Sequence, residues 1–245
     1  MGDGRGMAIK LMGVEDSPST TQDFLMINHA AFFVRNASDY VDFQAAVSQS
    51  RLWRFFIPGF NPFQFRWHEA WVAFSITRHK MANPLSSRYW SMTPYRFGEG
   101  ECKFSARPSG PTSTFTATNL PNFLRTNLVH HLAHHEASFD FMVQFRTRPH
   151  DMPIEDASVA WDESDSSFVP IARITIPKQK FDSPAQLAFC ENLSFTPWHC
   201  VEAHRPLGGI NRVRRTVYET ISRLRHEMNS APRCEPTTLP RLDFG

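Results

Sequence analysis

Strand-forming stretches recur along this 245-residue chain without the regular strand–helix–strand alternation that a parallel sheet requires. Gly6 to Met12 (GMAIKLM), Phe24 to Arg35 (FLMINHAAFFVR), Arg88 to Arg96 (RYWSMTPYR), Glu101 to Arg107 (ECKFSAR), Ser138 to Thr147 (SFDFMVQFRT) and Val169 to Pro177 (VPIARITIP) carry strand composition or alternation. The third and fourth meet at Gly98-Glu99-Gly100, which predicts a hairpin. Helical spacing is confined to 39–50, 68–81, 122–135 and 209–228. Strands that follow one another between helical interruptions predict an antiparallel α+β domain rather than a doubly wound one. The Gly pair in PLGG, 206 to 209, lacks the strand context of a dinucleotide fingerprint and marks the start of the last helix.

Hydrophobic residues make up 41% of the chain, enough to fill a core, and a net charge of +2 gives no sign of a nucleic-acid partner. No run approaches the ~20 apolar residues a membrane span needs, and the first residues lack the apolar core of a signal peptide. Cys102, Cys190, Cys200 and Cys234 are scattered, with no CxxC spacing, which fits a reducing compartment. The expectation is a cytoplasmic protein. Pro232, Pro236 and Pro240 make an extended tail of 230–245 behind a domain of 1–229.

The last helix holds the most specific chemistry. Ile210, Val213, Val217, Ile221, Leu224 and Met228 step by three or four and form an apolar stripe that predicts burial against the body. Beside it, Arg214 and Arg225 lie four residues before and seven after Tyr218, within about 40° of it at 100° per residue. A guanidinium beside a phenol favours the phenolate. A phenolate is a hard anionic ligand, and tyrosine is one of the few proximal haem ligands. The plain alternative is a boundary tyrosine on a solvated arginine face.

The spacing Arg-x3-Tyr-x6-Arg resembles the proximal motif of haem catalases, with Thr216 and Thr220 at the family's Phe and Asp positions. Other segments are similar in order. RGMAIKLMG at 5 to 13 resembles RGFAVKFYT, NHAAFFVRN at 28 to 36 resembles NNTPVFFIRD, ECKFSARP resembles the CKFHYK strand, and ENLSFTPW resembles EQLAFDPSN. The wording of NPLSSRYWSMTPYRFG and HRPLGGINRVRRTVYE is closer to the small catalase-related subfamily. The resemblance implies a catalase-type antiparallel β-barrel, incomplete at the N-terminus, with helical insertions and a C-terminal helix carrying the proximal tyrosine. It also implies haem b, with Tyr218 as iron ligand, Arg214 sustaining the phenolate and Arg225 near a propionate. The implied substrates are hydrogen peroxide or an organic hydroperoxide such as a lipid hydroperoxide. Catalases commonly form homo-oligomers through an N-terminal arm that has no counterpart here, so the resemblance leaves oligomer formation open.

The distal side departs from the family. The strand with the distal histidine lies upstream of the one matching Gly6 to Met12, so these residues supply no equivalent. Counting back from Phe32 puts Ile27 at the distal Asn position, with Asn28 one place off. Strand alternation puts Ile27, His29 and Phe33 on one face, which makes His29 a makeshift general base and Phe33 a pocket wall. The plain reading of His29 is a hydrogen-bonded barrel residue. The rival to a peroxide enzyme is therefore a non-enzymatic remnant with weak or no haem binding.

Two further constellations carry weaker signals. HHLAHHE pairs His130 with His134 and His131 with His135 at helical spacing, which suits adventitious metal binding on a solvated face. Cys200 adjoins His199, but burial explains a cysteine there more simply than nucleophilic chemistry.

Overall fold

The computed structural model describes residues 4–58, 65–78, 81, 83–110 and 121–238. Seven strands form one sheet: β1 (Gly6–Met12), β2 (Thr21–Ile27), β3 (Tyr89–Trp90), β4 (Tyr95–Phe97), β5 (Gly100–Pro108), β6 (Ala137–Phe145) and β7 (Val169–Ile176). Their order is β1-β2-β3-β5-β6-β7, with β4 paired to β5, and every pairing is antiparallel. The sheet curls into a half-barrel. The α+β expectation therefore stands.

Phenylalanine rings fill the cluster buried on one face of the sheet. Phe24 of β2 meets the rings of Phe104 and Phe141 edge-on, at 5.3 and 4.9 Å, and Tyr95 lies 4.8 Å from Phe104. Offset and edge contacts of this kind add stability beyond area burial. The helix α4 (Phe123–His134) places Leu132 on the same cluster. The edge strand β7 carries Pro170 opposite a register shift at Phe141/Met142, where a missing N–H costs least.

A second cluster sits under the helices α1 (Ala37–Ser48) and α2 (Trp53–Phe56) and the start of α6 (Gly209–Met228), with α3 (Trp67–Arg78) beside α2. Val34, Ala46, Phe55, Ala157 and Ile210 are its buried members. Asn36 caps α1 by accepting from Asp39 N, and α5 (Pro184–Glu191) begins with a capping box of Ser183 and Gln186. Buried Glu69 anchors α3 through an ion pair with Arg35, 2.7 Å long.

Two predicted strands come out shorter. β2 stops at Ile27, and residues 28–35 bend away, carrying Phe32 and Phe33 into the helical cluster. The stretch 88–96 is split at Ser91–Pro94, where Met92 takes a left-handed φ of 60°. Pro94 cannot donate to a ladder, which makes the break there the low-cost solution. Within the tail, Glu235 returns to pair with Lys10 of β1 at 2.6 Å, while 239–245 lie outside the described residues.

Candidate functional site

α6 reaches the sheet through its polar side. Gly208 precedes it at φ 85°, a conformation open to glycine, and Gly209 N donates to Glu155 at 2.8 Å. Asn211 is fully buried, and its amide donates to the carbonyls of Pro94 and Leu207. Further along, the Ser222 hydroxyl meets that of Ser194 at 2.6 Å, and the His226 ring bonds to Ser222 O and Asn192 O. This docking turns the apolar stripe away from the sheet. Ile210 is buried and Val213 half-buried, but Ile221, Leu224 and Met228 stand in solvent, contrary to the expected burial.

Between α6 and the mouth of the half-barrel lie two adjoining cavities of about 350 and 260 Å³. Ile27, Met92, Arg214 and Tyr218 line both. The larger is walled by Phe32, Phe33, Tyr40, Ile76, Val213 and Val217, the smaller by Gly6, Met7 and Ala8 of β1. Their sizes fall near the lower end of cofactor and small-molecule sites, and an apolar wall with few convergent polar groups is the usual make-up of one.

Those polar groups centre on Arg214. One guanidinium nitrogen donates to the Tyr218 hydroxyl at 3.3 Å, and the guanidinium carbon lies 5.2 Å from the centre of that ring. The other nitrogen donates to Asn211 Oδ1 at 3.1 Å, Thr93 Oγ1 at 3.3 Å and the Tyr95 hydroxyl at 3.5 Å. None of the four acceptors is a carboxylate. Among the described residues no carboxylate forms an ion pair with Arg214. A sequestered cation with no carboxylate partner can take an anion beside it. Burial works against the Arg214 charge, but the Tyr95 and Tyr218 oxygens outweigh it and hold the guanidinium above its usual range. Burial also pushes the Tyr95 phenol up against the pull of Arg214, so Tyr95 stays protonated. Tyr218 is the phenol that also faces the cavities.

The structure brings Tyr218, Arg214 and Phe33 to one place. Arg225 is held elsewhere: its guanidinium donates to the Glu191 carbonyl and lies 3.6 Å from the Glu191 carboxylate. Asn28 is buried, accepts from Arg5 N at 2.7 Å, and has its amide nitrogen without an acceptor among the described residues. His29 is tied on both sides, with Nδ1 near Ala31 O and N at 2.9 and 3.2 Å and Nε2 3.1 Å from the Ser75 hydroxyl. Ser75 donates to Val72 O, so Nε2 carries the proton in that bond. Neither Asn28 nor His29 lines the cavities described.

Met92, Thr93 and Asn211 belong to the site without having been read from the sequence. The turn at Ser91–Thr93 is fixed by Ser91 Oγ donating to Thr93 O at 2.9 Å, and it aims Met92 into the cavity and Thr93 at Arg214. The residues fit a flat, largely apolar macrocycle whose metal would take a hard anionic ligand: an apolar slot, a phenol at its wall, and a guanidinium without a carboxylate partner.

The other clusters do less. The His130 and His134 rings lie 4.9 Å apart, but among the described residues no group of three His, Cys, Asp or Glu is placed to hold a metal. The Cys200 thiol, pushed up to about 11 by burial, bonds to Trp198 O, while His199 faces Asp23 at 3.0 Å. No described helix is long and apolar enough to cross a membrane.

The curled antiparallel sheet with its helices is a catalase-like α+β fold, which solved catalases share. A fungal catalase and catalase A from Saccharomyces cerevisiae superpose with TM-scores of 0.72, at 16% and 17% identity, over 94% and 96% of this chain. A bacterial catalase gives 0.69 at 12% identity over all of it. The chain spans about half the length of each, 49–52%. No sequence-family model and no curated protein matches the chain.

Proposed function

We propose that the chain binds haem b in the slot between α6, Phe33 and the end of β2, and acts there on hydrogen peroxide or an organic hydroperoxide. The observation that carries this reading is the Arg214 guanidinium, sequestered without a carboxylate partner and bonded to a phenol, Tyr218, that lines both cavities. Tyrosinate ligation supplies the missing anion. Bound there, haem would supply a redox-active ferric iron for peroxide chemistry.

The chain's own residues have separable tasks. Tyr218 would hold the iron, and Arg214 would keep its oxygen anionic. Phe33, Ile27 and Met92 exclude water on the wall facing them. Arg225 is assigned to a propionate, an exchange of one acidic partner, Glu191, for another. His29 is assigned as distal base, with Asn28 beside it. Ser75 fixes the ring's tautomer and neighbours the cavity residue Ile76. The apolar character of that wall suits an organic hydroperoxide better than hydrogen peroxide. A second reading, a haem-binding protein with little peroxide turnover, is favoured by one observation: both His29 ring nitrogens are already engaged.

Haemin titration followed by peroxide-consumption assays separates these. The first reading predicts a stoichiometric complex that consumes cumene or fatty-acid hydroperoxide, and a ~10²-fold or greater loss in His29→Ala. The second predicts the same complex with negligible turnover, unchanged in His29→Ala. Absence of any complex removes both.

A further inference from the structure

The apolar stripe of α6 does not end in the slot. Val213 and Val217 form part of the cavity wall, and Ile221, Leu224 and Met228 continue the same stripe outward at 52%, 50% and 75% exposure. At 100° per residue the five lie within an arc of about 80°. The centre of that arc is about a third to a half of a turn round the helix from Asn211, Ser222 and His226, which dock α6 to the body. The remaining exposed surface of α6 is charged: Arg212, paired with Glu155 at 3.0 Å, Arg215 over the Trp198 ring, and Arg223 stand beside Glu219 and Glu227. Strong segregation of a charged face from an apolar one, at low overall hydrophobicity, is the signature of a helix that lies in a lipid–water interface.

An independent feature lies on a neighbouring element. Ile76 of α3 lines the same cavity, and α3 turns Trp67 and Trp71 outward at 72% and 67% exposure. Large aromatics prefer the headgroup level of a bilayer, where one end stays wet. The two are joined by charge. Residues 37–56, 66–78 and 209–228, which build this helical layer, hold nine arginines and no lysine against five carboxylates. The rest of the chain holds 17 basic and 19 acidic side chains. The net positive charge of the protein is therefore concentrated where its exposed apolar surface is.

We infer that the outer face of α6, with the tryptophans of α3, docks on an anionic lipid surface, which brings the mouth of the slot to the bilayer. Anionic headgroups meet the arginines, and Ile221, Leu224 and Met228 enter the acyl boundary. The docking itself does not depend on haem. If the slot works as proposed above, its substrate is a hydroperoxide drawn from the membrane rather than from water.

The test uses the haem-free full chain, so failure here is distinguishable from failure of the haem reading. Flotation with phosphatidylcholine vesicles is compared with flotation when a third of the lipid is phosphatidylglycerol. The docking predicts binding to the anionic vesicles that weakens with salt, quenching of tryptophan emission by brominated acyl chains, and about a tenfold loss of binding in Leu224→Glu or Trp71→Glu. Leu187→Glu, on α5, leaves binding unchanged. Lack of flotation at low salt overturns the inference, as does binding without quenching. So does a homodimer in sedimentation whose tryptophans are already shielded from aqueous quenchers.

Discussion

Replacing Arg214 by methionine separates a functional arginine from a structural one. The substitution removes a sequestered charge and its bonds to Thr93, Tyr95, Asn211 and Tyr218. The groups left behind keep partners. Thr93 Oγ1 donates to Asn211 Oδ1 at 3.1 Å, the Asn211 amide retains the carbonyls of Pro94 and Leu207, and Tyr95 remains beside the Thr93 hydroxyl. Tyr218 faces the cavity. No large penalty for an orphaned polar group arises, and trading a buried charge that has no carboxylate partner for an apolar chain of similar length is close to neutral. Urea unfolding of the haem-free protein should therefore move by no more than about 1.5 kcal/mol in either direction. Haem affinity should respond differently. A charged donor to an anionic oxygen is worth about 1.5–3 kcal/mol, or roughly a 10- to 100-fold loss in a haemin titration. A variant that loses more than about 4 kcal/mol of stability while binding haem normally would show that Arg214 serves the fold alone.

Three other outcomes follow from individual contacts. Burial lowers the Lys103 ammonium to about 7, with its Nζ donating to Val159 O at 2.8 Å. Between pH 7 and 9 the folded chain releases this proton while the unfolded chain keeps it, so stability should rise by about 2 kcal/mol. Lys103→Met should flatten that rise in urea titrations. Above pH 9 the thiols of Cys102 and Cys200, raised by burial to about 12 and 11, oppose it, because the unfolded chain then loses protons the folded one retains. Gly208→Ala should cost about 2–3 kcal/mol or more in thermal unfolding, since φ is 85° and the added Cβ would stand 2.5 Å from the Ile154 carbonyl oxygen. Phe33→Ala should leave a wider slot and weaken haem affinity about tenfold while retaining the Soret line shape, because a wall is lost and the axial ligand is not.

Periodicity made the sheet and α6 legible. The alternation in 138–147 and the three- and four-residue steps in 209–228 match β6 and α6 closely, because each pattern follows from side-chain direction alone. The contact of Arg214 with Tyr218 was legible for the same reason: residues four apart on a helix are neighbours. Long-range contacts were not. Arg225 shares the face of Tyr218 yet is drawn to Glu191, 34 residues away, a partner that spacing does not reveal. An apolar stripe marks an arc of α6, not which arc meets the body. Asn211, Ser222 and His226 won that contest through buried hydrogen bonds that hydropathy ignores. The shared face of Ile27 and His29 dissolved because β2 ends at Ile27, and strand alternation has no meaning in the bends beyond. One signal was available and unused: Pro94 within RYWSMTPYR marks the break that delivers Met92 and Thr93 to the slot.

The most direct test of tyrosinate ligation is the absorption and electron paramagnetic resonance spectrum of the haemin-reconstituted chain beside that of Tyr218→Phe. The account predicts a stoichiometric Soret band with a high-spin ferric, phenolate-ligated signature in the parent, and loss of that signature in the variant at unchanged stability. A Tyr218→Phe protein with the parent's spectrum, or a parent that leaves haemin in its free form, would contradict it.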